Sequence, residues 1–328
     1  MHEGGTQRQL FTAVFAALVS VVVTQQASAQ SYPNRPVRVV VAAATGGPDI
    51  VARIVAAELT TQLGQTFFVE NQPGANGIVG ANTVAKAAPD GYTLLVYSAG
   101  FVVNPYVQKQ LPYDTEKDFA PVTNLTSSGG LFLAVNSALP VNSLQEFIQY
   151  AKRPDAKLAY STPGVGNNWH LATEVFSQLA GIRMTHVPYK GGGPAAAALV
   201  AGEVQAMLVS PAPIMPHLKS GKVRVLAYTG EKRNVAVPEV PLMKDSGVNW
   251  TYDGGWFGMF APARTPPETL EKIAAEVRKA MQKPEVLKRF TTLGVEPAAG
   301  TPEEFRKFFF AELKAYGEMA RVAGVKPE

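Results

Sequence analysis

Residues Val37 to Leu63 read VRVVVAAATGGPDIVARIVAAELTTQL, and this stretch holds the unit from which the fold is inferred. Val37 to Ala43 is a short run rich in β-branched residues, as expected of a buried strand. Thr45-Gly46-Gly47-Pro48-Asp49 follows as a glycine-rich turn. Asp49 to Leu63 then takes helical spacing, with Ile50, Ile54 and Val55 on one face and Gly64 as the stop. Strand, glycine loop and helix in succession predict an α/β architecture.

Working outward, the same alternation recurs. Thr66 to Glu70 reads as a strand, and a Pro-Gly loop leads from it to a helix over Val79 to Ala87. The turn Pro89-Asp90-Gly91 introduces a strand at Thr93 to Ser98. The pattern resumes at Leu131 to Val135. Ser143 with Glu146 forms a capping-box signature for a helix to Lys152. Strands are expected at Leu158 to Ser161, Met184 to Pro188, Val204 to Val209, Val223 to Tyr228 and Phe257 to Ala261. Helices are expected at Asn168 to Leu179 and Ala195 to Ala201. Two more should follow near the C-terminus, each opened by a capping box, Thr265 with Glu268 and Thr301 with Glu304. Alternating elements imply mostly parallel sheets covered on both faces. About ten strands rarely share one twisted sheet, so two sheets in two lobes are expected.

Three strand-to-helix loops are rich in glycine: Thr45 to Asp49, Thr162-Pro163-Gly164-Val165-Gly166-Asn167, and Gly191-Gly192-Gly193-Pro194. Ligands of open α/β sheets sit beyond the carboxyl ends of the strands. Glycine admits close backbone approach there, and the free N–H groups of a helix start favour an anion. Any one of these loops is equally well a tight turn; three together predict a carboxylate or phosphate site. None contains a complete G-x-G-x-x-G or a G-x-x-x-x-G-K-[ST], so nucleotide binding is set aside.

Enzymatic chemistry finds little support. The chain has no cysteine, and no G-x-S-x-G occurs. The four histidines, His2, His170, His186 and His217, lack metal-ligand spacing. His170 follows a glycine loop, where a bond to nearby backbone is the plainer reading; His186 reads as a strand residue and His217 as a surface helix residue. Asp49 sits where a helix N-cap belongs. Trp169, at the mouth of its loop, could stack on an aromatic ligand or pack between lobes. No catalytic residue, metal or cofactor is expected. A secreted enzyme using Asp49, His170 or Lys190 is the remote alternative.

Composition sets the remaining bounds. The 328 residues suffice for two domains; 46% are hydrophobic and 17% charged, and the net charge is +4. Basic residues are not clustered, which argues against nucleic acid. Arg8, the apolar run Leu10 to Val23 and Ala27-Ser28-Ala29 predict a cleaved signal peptide over 1–29. A periplasmic, monomeric protein is the expectation.

From about Tyr32 onward the chain resembles the Bug-type extracytoplasmic solute receptors, the binding components of tripartite tricarboxylate transporters. The resemblance rests on Val69-Glu70-Asn71-Gln72-Pro73-Gly74-Ala75, on Ala88-Pro89-Asp90-Gly91-Tyr92-Thr93-Leu94-Leu95, on Leu111-Pro112-Tyr113-Asp114 with Asp118-Phe119-Ala120-Pro121-Val122, and on His186-Val187-Pro188-Tyr189-Lys190-Gly191. It implies a type II periplasmic-binding-protein-like fold, with two α/β lobes joined by a two-strand hinge. Lobe 1 would be 30–128 plus 254–328, and lobe 2 would be 129–253.

The resemblance also implies a ligand, a small carboxylate, and a partner, the membrane permease subunits; a sensing input to a signalling receptor is the alternative. By position, the first lobe would offer Gly46, Gly47, Asp49 and Ser98. The second would offer Ser161, Thr162, Gly164, Gly166, Asn167, Trp169, His170, Tyr189, Gly191 and Ser210. Two departures bear on the ligand. Similar proteins carry an aromatic residue in the first loop, where this chain has Ala42-Ala43-Ala44-Thr45. They often carry an acid where this chain has Val209, an absence that argues against amino acids. Loss of one aromatic beside the gain of Trp169 suits an aromatic carboxylate.

Overall fold

The computed structural model describes residues 32–127 and 129–322; the expected signal peptide lies outside them. Five strands build the first sheet: β1 (Val37–Val41), β2 (Phe67–Asn71), β3 (Thr93–Ser98), β4 (Phe119–Asn124) and β10 (Phe257–Pro262), in the order β2-β1-β3-β10-β4. The second sheet holds β5 (Phe132–Asn136), β6 (Ala159–Thr162), β7 (Thr185–Pro188), β8 (Ala206–Val209) and β9 (Val223–Tyr228), in the order β7-β6-β8-β5-β9. Each sheet with its helices forms one lobe.

The sheets are mixed, which corrects the expectation of mostly parallel ones. β1 runs parallel to β2 and β3, and β6 parallel to β7 and β8. β10 is antiparallel to both its neighbours, and so is β5. The reversed strands are the ones reached directly after the chain crosses between lobes. Such a strand enters beside the carboxyl ends of its neighbours and has to run away from them. The two crossing segments lie side by side, with the Gly255 N–H donating to the Gly129 carbonyl at 2.8 Å.

Helices α1 (Gly47–Leu63), α2 (Ile78–Ala85) and α3 (Gly100–Val107) follow the first three strands. Helices α4 (Leu144–Ala151), α5 (Asn168–Ala180), α6 (Gly192–Ala201) and α7 (Pro211–Lys219) cover the second sheet. The C-terminal region folds as α8 (Pro267–Met281), α9 (Pro284–Thr292) and α10 (Pro302–Val322), three helices where two were expected. Local sequence explains several ends. The Glu146 N–H donates to Ser143 Oγ at the start of α4, and Thr301 and Glu304 complete a reciprocal capping box before α10. The Thr265–Glu268 box does not form. Thr265 turns its hydroxyl to the Pro262 carbonyl, and Pro266, one residue later, takes the capping position of α8.

The two cores differ in kind. The first is built around Phe101, whose ring centroid lies 4.9 Å from Phe119, 5.1 Å from Phe260 and 5.3 Å from Tyr97. The second is chiefly aliphatic, with Leu131, Leu133, Val135, Leu199, Leu208 and Ile214 all fully buried. Each fully buried aliphatic side chain contributes about 1.5–3 kcal/mol. Neither lobe therefore requires a disulfide, consistent with the absence of cysteine. Among the described residues, no helix is long and apolar enough to cross a membrane.

Candidate functional site

A cavity of about 290 Å³ lies at the carboxyl ends of the strands, walled by both lobes. The first lobe contributes Ala42, Ala43 and Pro48, the loop Pro73 to Gly77, Tyr97 and Ser98 at the end of β3, Gln108 and Phe257. The second contributes Pro163 to Val165, Asn167 to Trp169, and Tyr189 to Gly192. The three glycine turns singled out from the sequence thus converge. The Gly193 N–H donates to the Thr45 carbonyl at 2.7 Å, joining the first and third directly across the lobes. A methyl group on Gly193 would overlap that carbonyl, so the close approach depends on glycine there. At Gly166 both demands coincide: φ is 69°, and a methyl group would stand 2.6 Å from Val107 Cγ2.

Six of the expected site residues line the cavity: Ser98, Gly164, Asn167, Trp169, Tyr189 and Gly191. Ser98 Oγ accepts a long 3.4 Å bond from the Gly100 N–H, leaving its hydroxyl proton for a ligand. Asn167 caps α5 by accepting the Trp169 N–H at 2.9 Å. Tyr189 aims its hydroxyl at Glu203, 3.1 Å away, and presents its ring to the cavity. Trp169 is buried, with its six-membered ring against Gly192, so it is both wall and packing element.

The other eight stand behind this wall. Gly46 and Gly47 open α1; Gly47 faces the buried Ser210, whose hydroxyl has no hydrogen-bond partner. Asp49 is not the cap. Gly46 holds that position, and Asp49 lies three residues on, accepting from Arg53 Nε at 3.0 Å and Asn71 Nδ2 at 2.9 Å. Ser161 donates to the Ala195 carbonyl at 2.9 Å, fixing α6 to β6. Thr162 Oγ1 shares a 2.6 Å bond with His186 Nε2.

Gly166 and His170 are linked, since the Gly166 N–H donates to His170 Nδ1 at 3.1 Å. The His170 ring stacks on His186 with centroids 4.0 Å apart, and His186 stacks on Tyr160 at 5.0 Å. Burial, and then the neighbouring His170, push the His186 imidazole down to about 4. The stacked rings therefore buttress the loop 162–167, with the His186 imidazole held neutral.

Electrostatically the cavity is lopsided. Among the described residues Lys190 is the single charged side chain on its wall, and no carboxylate faces in. The N-terminal ends of α1, α5 and α6 border it through Pro48, Asn168 and Gly192. Each such end adds roughly half a positive charge. The lining is otherwise amide, hydroxyl and aromatic, the make-up of a site that binds an anion and orients an organic body.

Sequence reasoning missed the loop Pro73 to Gly77 as a wall, along with Tyr97 and Phe257. The loop carried the same signal as the others, glycines between a strand and a helix. In it Ala75 and Asn76 both adopt positive φ, 45° and 50°. Asn76 donates to Asn104 Oδ1 at 2.7 Å and accepts from Asn167 Nδ2 at 3.0 Å.

Residues 51–325 match a family described as the tripartite tricarboxylate transporter family receptor. Protein BugT of Bordetella pertussis is 33% identical over 302 residues, spanning 91% of this chain and 92% of that one. Among solved structures, periplasmic binding protein BugD is 31% identical with a TM-score of 0.86, covering 90% of this chain and all of that one. An R. palustris protein solved with adipate is 32% identical, with a TM-score of 0.87 and the same coverages. MatC from Rhodopseudomonas palustris, solved with bound malate, is 33% identical with a TM-score of 0.81, covering 88% of this chain and all of that one.

Proposed function

The chain belongs to the tripartite tricarboxylate transporter receptor family, and on that premise we propose that it captures a small organic carboxylate in the periplasm and delivers it to the membrane subunits of a tripartite transporter. It is a solute-binding receptor and not an enzyme, as its relatives are. The observation that carries the carboxylate reading is the cavity wall, which among the described residues has one cation, no anion and the N-terminal ends of α1, α5 and α6. That the related structures hold adipate and malate fits the same chemistry. The receptor works as a monomer in this reading, with lobes 30–128 plus 254–328 and 129–253 moving about the paired segments at Gly129 and Gly255.

The mechanism is closure around the ligand. An anion entering the cleft exchanges water for the Lys190 ammonium, the Ser98 hydroxyl and backbone N–H groups at the helix starts. Charge-assisted bonds of this kind contribute about 1.5–3 kcal/mol each. The rings of Tyr97, Trp169, Tyr189 and Phe257 around the same space favour a flat, apolar body attached to the carboxylate. An aromatic monocarboxylate such as benzoate is the ligand class this wall suits best.

Thermal unfolding in the presence of benzoate, phenylacetate, adipate and malate tests the proposal. At a hundred times Kd a ligand stabilises its receptor by about 2.7 kcal/mol, which raises the melting temperature by several degrees. Benzoate or phenylacetate should give the larger shift. A response to adipate and malate alone removes the aromatic preference, and no response to any carboxylate removes the carboxylate reading.

A further inference from the structure

We propose that Asn76 and Asn167 are a clasp across the cleft, and that they set how long a captured ligand is retained. The inference rests on the receptor reading above, because a clasp has meaning only where two lobes open and close.

Asn167 Nδ2 donates to Asn76 Oδ1 at 3.0 Å, from the start of α5 in the second lobe to the loop after β2 in the first. Both residues line the cavity. The bond is one link of a longer series in which nearly every polar atom has a partner. Asn167 Oδ1 is held by the Trp169 N–H, which fixes the direction of its amide. Asn76 Nδ2 donates to Asn104 Oδ1 at 2.7 Å. Asn104 is fully buried, and its own amide nitrogen reaches the hydroxyls of Tyr113 at 3.3 Å and Tyr97 at 3.4 Å. The series therefore runs from a helix cap in one lobe to a buried tyrosine pair in the other.

Two further features fit a built device. Asn76 occupies the left-handed region with φ 50° and ψ 41°, where asparagine is among the few side-chain-bearing residues tolerated. A methyl group on Gly100 would come 2.8 Å from Asn167 Nδ2, so glycine there leaves room for the amide to cross. Among the described residues two further bonds join the lobes near the cavity, Gly193 N–H to the Thr45 carbonyl and Asn168 Nδ2 to the Gly254 carbonyl at 3.2 Å, and neither uses the side chains of Asn76 or Asn167. Opening the cleft breaks the Asn76–Asn167 bond and exposes both amides to water. Its loss should therefore speed release far more than it slows capture.

Three variants test this. Asn76→Gly removes the amide while keeping the backbone unstrained, Asn167→Ser keeps an acceptor for the Trp169 N–H but cannot reach Asn76, and the double variant combines them. Benzoate and adipate are the probes, followed by stopped-flow tryptophan fluorescence, with small-angle scattering of the unliganded protein alongside. Each single variant should raise the release rate about five- to tenfold, change the association rate less than twofold and shift unliganded scattering toward a larger radius. The double variant should do little more than either single one. Release rates equal to the parent protein's, or effects that multiply in the double variant, overturn the clasp. If neither probe binds the parent protein, the carboxylate reading fails and scattering alone decides: an unchanged radius in both single variants overturns the clasp.

Discussion

The two walls of the cleft are built from the same βα units and do different work. The second-lobe wall carries the cation, Lys190, and the N-terminal ends of α5 and α6. Among the described residues the first-lobe wall has no charged side chain; it offers the N-terminal end of α1, Ser98, the aromatic surfaces of Tyr97 and Phe257, and the loop Pro73 to Gly77. The contrast teaches an order of events. An anion is drawn first to the second lobe by charge, which acts over the roughly 8–10 Å of a Debye length. The first lobe then closes over it with short-range bonds and apolar contact, which act only on touching.

The largest expected effect breaks the meeting of the walls. A methyl group on Gly193 overlaps the Thr45 carbonyl only when the lobes touch, and Gly193 does not have positive φ. Gly193→Ala should therefore fold normally, with a melting temperature close to the parent's, yet resist closure. Overpacking of this sort costs about 1–3 kcal/mol, so benzoate affinity by calorimetry should fall up to about a hundredfold. Unchanged affinity would mean that ligand is held by one wall alone.

A second effect separates the lobes by pH. Every histidine among the described residues lies in or beside the second sheet; none occurs between residues 32 and 127 or between 254 and 322. His186 is held near 4 by burial, against 6.5 when unfolded. Below pH 6.5 the unfolded chain thus binds the extra proton. The stability this neutral ring contributes is fully present above pH 6.5 and is lost as pH falls toward 4; the span from 6.5 to about 4 sets a ceiling of about 3.4 kcal/mol, which solvent screening of the partly exposed ring reduces to the order of 2 kcal/mol. The carboxyls of Glu312 and Asp253, pushed up by partial desolvation, respond in the opposite sense, so the comparison needs a variant. His186→Gln should unfold with a flatter dependence on pH between 4 and 6.5 than the parent. Parallel melting curves across that range would show that the stacked rings carry no linked proton.

What the sequence disclosed divides along the same physical lines. Strand-loop-helix units, the Ser143 and Thr301 caps and the three converging glycine turns depend on residues close together in the chain, and all were legible. Strands β5 and β10 were also expected, but their reversal was not, because direction follows from where the chain crosses between lobes. Helix α3 was missed because Gly100 and Pro105 interrupt its pattern. At the site, Gly46, Gly47 and Ser210 were expected in the wall and instead support it. The loop Pro73 to Gly77 was read only as a connection, and it forms part of the wall. Glycine spacing reports that backbone approaches something closely. It does not say whether that something is a ligand or, as at Gly193, the other lobe.

The smallest effects sharpen the comparison by removing one polar contact from each wall. Lys190 is exposed on the rim, so its attraction for an anion is partly screened by water. Lys190→Ala should weaken benzoate about tenfold, mainly by slowing association, and the loss should shrink as salt rises from 0.01 to 0.15 M. Ser98→Ala removes a neutral donor worth about 0.5–1.5 kcal/mol. Its loss of about threefold should fall on the release rate and ignore salt, because the bond forms only after closure. The division of labour stands or falls on that split. If both variants changed the same rate constant with the same salt dependence, the ligand would meet the two walls together, and no sequence of capture and closure would be needed.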